Sequence, residues 1–369
     1  MDYYITNYNI SNTDAVALQD CIMRKGSPST AGSKILENFI SPFDAAVVTR
    51  LLDNKIAIAG KTKMEEFGID RISADKPDNV SEAIRVVADN VVSFSLCNDV
   101  FGKCRRQAAG HGVFYIHPTY GTVSRFGLIP MVSSMDQIGV ACKNLMDGFN
   151  LLSVIAGNDS NDGAMFPEKK YSYTGINKKI RLGVPASIVK QADENTQKSI
   201  YEFAEKHNTV NIDLEYFNVY KQAMYILCCA EISNNINRYD GIKYGYRTSN
   251  YSGLNDLYVN TRTEAFNLET KLAAVMGSMV LSHDQYVPYY EKAMKMRRLI
   301  KESLRFDEYD VIILPTAIGE NPYDNLSLFS PAPLAGLPSI SFSYNGGGIQ
   351  LIANVKDENT LITTWEAAQ

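Results

Sequence analysis

Residues 103–106 read Lys-Cys-Arg-Arg, a thiol set among cations. A nearby cation lowers a thiol pKa and raises the fraction of thiolate, the form that attacks a carbonyl carbon. Cys104 is therefore a candidate nucleophile. The competing reading, a small buried residue in an apolar slot, is preferred, because free cysteine is among the most buried residue types. Lys103, Arg105 and Arg106 could hold an anion, although clustered cations more often form an ion-paired or solvated face. Ser81 offers a hydroxyl, but its place before a short apolar-periodic run reads first as a helix N-cap. His111 and His117 lie close by in sequence. Neither they nor His207 and His283 have metal-ligand spacing, so no metal and no cofactor are expected.

The elements around these residues must position them. Val91, Val92, Phe94 and Leu96 form a β-branched, apolar run that reads as a buried strand. Upstream, Ala15-Val16-Ala17-Leu18 reads as a strand running into Gln19-Asp20, and residues 25–34 as a turn-rich segment. Ser41-Pro42 reads as an N-cap with proline at the first helical position, ahead of Ala45, Val48, Leu51 and Leu52 at helical spacing. Residues 56–60 read as the next strand. A helix between two buried strands is a crossover, which implies parallel pairing. Residues 68–80, with Pro77, read as a polar loop. Helices are expected at 145–155, 194–206, 223–236, 262–278 and 286–304, and strands at 180–184, 209–216 and 311–317. Cys228-Cys229 fall on an apolar helix and read as core. Asn345-Gly346-Gly347-Gly348 predicts a hairpin.

The stretch 91–139 also carries motifs. It contains His117-Pro118-Thr119-Tyr120-Gly121, then Ser124-Arg125-Phe126-Gly127-Leu128, then Ser133-Ser134-Met135-Asp136-Gln137-Ile138-Gly139. In these it resembles the amidase signature enzymes, and within them the A-subunit family of glutamyl-tRNA(Gln) amidotransferase. That family reads K-P-T-Y-G-x-V-S-R-Y-G-L and S-S-L-D-Q-I-G, and both blocks match almost letter for letter. A likeness to K-G-I-P-T-T-A-G-S-K at 25–34, and to the family pattern at Arg238-Tyr239-Asp240-Gly241 and Tyr244-Gly245-Tyr246-Arg247, extends the resemblance from about Ala15 to the end.

The block that carries the family's nucleophile, G-S-D-T-G-G-S-I-R-Q-P-A, departs here. Family amidases use a serine nucleophile, a second serine that relays its proton, and a lysine held neutral by burial as the base. By this resemblance Lys103 stands at the nucleophile, Asn79 at the bridging serine and Gln19 at the lysine. A neutral amide cannot act as a base, and an asparagine cannot relay a proton as a hydroxyl does. Phe101 replaces a glycine of the oxyanion turn, while Asp99 and Gly102 remain. The family's carboxylate-binding arginine falls at Ala273, and residues 325–333 contain no aspartate to hold a substrate amino group. The resemblance thus implies a pseudoenzyme with no intact catalytic triad and a structural or regulatory role, with B- or C-type amidotransferase subunits as partners. The alternative is an active amide hydrolase with a relocated nucleophile such as Cys104.

Composition agrees with this class. The chain has 369 residues, 45% hydrophobic and 21% charged, with a formal net charge of -5. This suits a sizeable core and lacks the basic stripe of an independent nucleic-acid binder. No apolar run is long enough to span a membrane, and no signal peptide is visible. The six scattered cysteines read as reduced thiols, so a cytoplasmic protein is expected. The expected fold is one amidase-like domain over residues 1–369. It is α/β, with a mixed, largely parallel sheet flanked by helices on both faces, trimmed of the family's N-terminal helical segment.

Overall fold

The computed structural model describes residues 2–10, 12–70, 72–73, 79–319, 321 and 323–369. The part of the polar loop that includes Pro77 lies outside them. Strands β1 (Tyr4–Asn7), β2 (Val16–Gln19), β3 (Ile58–Thr62), β4 (Phe94–Asn98), β5 (Phe114–His117), β6 (Ile138–Cys142), β7 (Arg181–Val184), β8 (Asn208–Asn211), β9 (Val311–Pro315), β10 (Ser339–Tyr344) and β11 (Gly347–Ala353) form one sheet. It has 11 strands in the order β1-β3-β2-β4-β6-β5-β10-β11-β9-β7-β8. Every residue of β2, β3, β6 and β9 is buried, as required of strands covered on both faces.

The mixed α/β architecture is as expected, but the balance of strand directions is not. Pairings β2–β3, β2–β4, β7–β9 and β7–β8 are parallel. Pairings β1–β3, β4–β6, β5–β6, β5–β10, β10–β11 and β9–β11 are antiparallel. The sheet among the described residues is therefore mostly antiparallel. Helix α1 (Ala46–Asp53) does join β2 to its parallel neighbour β3. That crossover does not recur across the middle of the sheet. There the β10–β11 hairpin turns on Asn345 and Gly346, both at positive φ (47° and 86°), in register Tyr344↔Gly347. Two left-handed residues in a two-residue loop are the geometry that closes antiparallel strands.

Several local elements differ from expectation. Ser41 does not cap α1; its hydroxyl donates to Phe43 O at 2.6 Å, and the helix starts at Ala46. The helix expected at 262–278 is two, Leu254–Ala265 and Leu268–Val280, divided where the Asn267 side chain accepts from Thr270 N at 3.0 Å. The helix expected from 286 opens with a wide turn, Tyr286–Glu291, before Lys292–Ser303. Pro288 lies in that turn, and its missing N–H removes an ordinary i→i−4 bond.

His117, at the end of β5, is fully buried, and neither ring nitrogen has a partner. Burial, and secondarily Arg105, holds its pKa well below the usual histidine value. The unfolded chain takes up a proton near pH 6.5 while the folded one does not. Stability therefore falls as pH drops below about 6.5, at up to about 1.4 kcal/mol per unit. His117→Leu removes two orphaned polar atoms and is expected to be at least as stable as the parent at pH 7. It should also lose that decline between pH 6.5 and 5, as read by urea unfolding across the range.

Candidate functional site

Three elements converge on one cavity. The C-terminal end of β2 supplies Gln19, and the end of β4 supplies Asn98 and Asp99. Helix α3 (Lys103–Gly110) supplies Lys103 and Cys104 from its first turn. Asn79 and Ser81, which precede helix α2 (Glu82–Ala88), close the other wall. The cavity is about 230 Å³. The structure thus brings together Gln19, Asn79 and the adjacent pair Lys103-Cys104, from three stretches far apart in sequence.

The turn between β4 and α3 is fixed by charge. Asp99 accepts the N–H groups of Cys104 (3.0 Å) and Arg105 (3.1 Å), so it satisfies donors that the start of a helix leaves open. The fully buried Arg105 guanidinium donates to the same carboxylate at 3.0 Å, to Phe329 O at 2.9 Å and to Asp99 O at 3.1 Å. Gly102 precedes the helix with φ +80°, and a Cβ there would lie 2.4 Å from Phe329. Only glycine fits that position. Gln107 then ties α3 to the opposite wall, donating to Asn79 O at 2.9 Å and accepting from Ser81 N at 2.7 Å.

Gln19 is buried, and its Oε1 accepts from Asn98 N at 2.9 Å and from the Cys21 thiol at 3.4 Å. Its orientation is therefore set, with the amide nitrogen left for the cavity. Lys103 is also buried and pairs with Glu65 at 3.0 Å. Ser81 precedes α2 as expected, yet its side chain makes no cap bond; its hydroxyl lies 3.7 Å from Cys104 Sγ. The other candidates are elsewhere. Ala273 is fully buried on Leu268–Val280 and does not line the cavity. His111 bonds back to Gln107 O at 2.8 Å. Arg106 faces a separate small recess beside Asp70 and Phe329. Cys228 and Cys229 are core. Among the described residues no cluster of His, Cys, Asp and Glu could hold a metal.

The motifs downstream act as clasps. Asp136 accepts from Asn98 Nδ2 at 2.8 Å, Met131 N at 2.9 Å and Val132 N at 3.0 Å, which ties the loop before β6 to the end of β4. Arg125 reaches Asp162 Oδ2 at 2.9 Å and Tyr120 Oη at 2.5 Å. Burial pushes the Asp162 carboxyl up, but the Arg125 bonds prevail and bring it down to about 2. Its folded pKa lies below the unfolded value. The pair therefore stabilises above about pH 4, by about 2 kcal/mol, and is lost as pH falls through about 2. Arg125→Gln should flatten acid unfolding in that window.

One buried charge was missed from sequence. Lys61 on β3 pairs with Asp20 at 2.9 Å and donates to Ser29 Oγ (2.5 Å), all three fully enclosed, and to Pro28 O (2.7 Å), which is part-buried. Burial lowers its pKa while Asp20 opposes the shift. With its ammonium committed to these three partners and no place in the cavity wall, it cannot replace a base at position 19. A lysine within the run Ile58-Ala59-Gly60-Lys61-Thr62 was the available signal.

The sequence and the fold have counterparts among known proteins. A family model described as Amidase matches residues 15–74 and 85–362. The chain belongs to the amidase family. It is 36% identical over 365 residues to the glutamyl-tRNA(Gln) amidotransferase A subunit of Lachnoclostridium phytofermentans, covering 88% of this chain and 74% of the relative. It is 36% identical over 392 residues to the corresponding A subunit of Listeria monocytogenes, covering 94% and 81%. The crystal structure of the Thermotoga maritima A subunit superposes with a TM-score of 0.74 at 27% identity, over 97% of this chain and 85% of that one. A 6-aminohexanoate cyclic dimer hydrolase shares the fold, with a TM-score of 0.77 at 18% identity over 96% of this chain and 84% of that one. Among the described residues of this amidase-family chain, no helix is long and apolar enough to cross a membrane.

Proposed function

We propose that this amidase-family chain is a non-catalytic homologue of the amidotransferase A subunit, forming a single cytoplasmic domain with a structural or regulatory role. One observation carries the reading. The cavity wall holds Gln19, Asn79 and Lys103, with the Gln19 oxygen occupied and Lys103 paired to Glu65. Acyl transfer needs a hydroxyl or thiol next to a group that takes its proton; none of the three offers a hydroxyl or thiol, and the one amine among them, Lys103, is held by Glu65. Ala273 offers no guanidinium for a substrate carboxylate. B- or C-type amidotransferase subunits are the partners this reading implies. Tagged protein isolated from its host should co-purify with them, and their absence from a reproducible pull-down would remove the assembly role.

A second reading rests on Cys104. Its thiol and the Ser81 hydroxyl line the cavity, as does Glu82, one of whose carboxylate oxygens has no hydrogen-bond partner. Any glutamine-dependent ammonia release carried by this thiol should vanish in Cys104→Ala, and activity unchanged in that variant would eliminate this version.

A further inference from the structure

A second cavity shares no lining residue with the first. It is about 350 Å³ and lies between the segment before α1 and the Phe126–Pro130 loop. Its walls are apolar and preformed. Phe43 and Phe126 stack with centroids 5.0 Å apart, and Phe39 meets Tyr244 at 5.9 Å. At one end the polar groups converge. Among the described residues of the lining, Arg238 alone is charged. Its Nε and Nη2 are held by Asn235 O (2.9 Å) and Asn235 Oδ1 (2.6 Å), which fixes the guanidinium and leaves Nη1 without a partner. It forms no ion pair among the described residues. The hydroxyls of Tyr239 and Tyr244, in the same lining, make no hydrogen bond to described residues. A rigid aromatic slot of this size with a few convergent donors has the character of a small-molecule site. An oriented guanidinium that forms no ion pair among the described residues selects a planar anion, although the Asp240 carboxylate also acts on Tyr244.

We infer that this pocket binds a small monocarboxylate with an aromatic or aliphatic body. The apolar body lies against Phe43 and Phe126, and the carboxylate meets Arg238 and the two phenols.

The test is calorimetric titration of the whole chain with 3-phenylpropanoate and, separately, with the neutral 3-phenylpropan-1-ol. The acid is expected to bind saturably at one site with Kd of roughly 0.1–1 mM, the range open to a ligand of this size. Arg238→Gln should weaken the acid by about tenfold or more and leave the alcohol unchanged. Tyr244→Phe, which removes one hydroxyl only, should weaken the acid alone by a smaller factor, and Lys103→Ala should change nothing. No saturable binding, equal binding of acid and alcohol, or loss of binding in Lys103→Ala but not Arg238→Gln would each overturn the inference.

Discussion

Lys61→Met is expected to lower the unfolding free energy by about 3–5 kcal/mol at pH 7, the scale for breaking one side of a buried ion pair. The lysine and Asp20 are both fully enclosed, 2.9 Å apart. Removing the ammonium leaves a buried carboxylate whose remaining partners, the Thr30 N–H (2.8 Å) and hydroxyl (2.5 Å), do not neutralise it. The Ser29 hydroxyl and Pro28 carbonyl lose their donor as well. A Lys61→Met/Asp20→Leu double variant should recover part of the loss, because replacing both members of a buried pair by apolar groups can approach neutrality. Recovery stays partial, since Asp20 also anchors Thr30. Urea unfolding of the two singles and the double measures the coupling directly. A loss under about 1 kcal/mol for Lys61→Met would mean that water reaches this pair.

Arg105→Ala should cost a comparable amount, again about 3–5 kcal/mol. The guanidinium is buried against Asp99, Phe329 O and the carbonyls of residues 99 and 100. Its loss strands those acceptors together with the Asp99 charge. Arg105→Lys is not expected to rescue, because one ammonium cannot span the fan of acceptors that a planar guanidinium reaches. Because Asp99 also holds the first N–H groups of α3, local opening should spread to Lys103 and Cys104. Faster hydrogen exchange at residues 103–106 in Arg105→Ala, against an unchanged rate in β9, would separate this effect from global destabilisation.

How much of this was legible in the sequence depended on the kind of signal. Short-range chemistry read well. The Asn345-Gly346 turn, the apolar period of 145–155 and the buried strands around Gln19 and Phe94 all fell close to where they were expected. The gathering of Gln19, Asn79 and Lys103 around one cavity followed from the resemblance, because the matching motifs fix the same crossings of the sheet. Strand direction in the middle of the sheet did not read, since buried strands look alike whichever way they run. The α1 crossover was a true local signal, extended too far. Helix α3 was hidden because its start depends on Asp99 four residues upstream and on a left-handed Gly102, not on a capping residue at the boundary. The partners of Lys61 and Lys103, Asp20 and Glu65, come from other segments of the chain, and no spacing rule connects such pairs.

The central claim is that this member of the amidase family lacks the means to activate a nucleophile in its cavity. The most direct measurement is glutamine-dependent ammonia release by the purified chain, followed through successive chromatographic steps. The account predicts no release above the buffer rate, at least about a thousandfold below the roughly 10 per second typical of enzymes. Ammonia release that tracks the protein peak through every step, saturates with glutamine and is altered by substitution at Cys104 or Lys103 would contradict it.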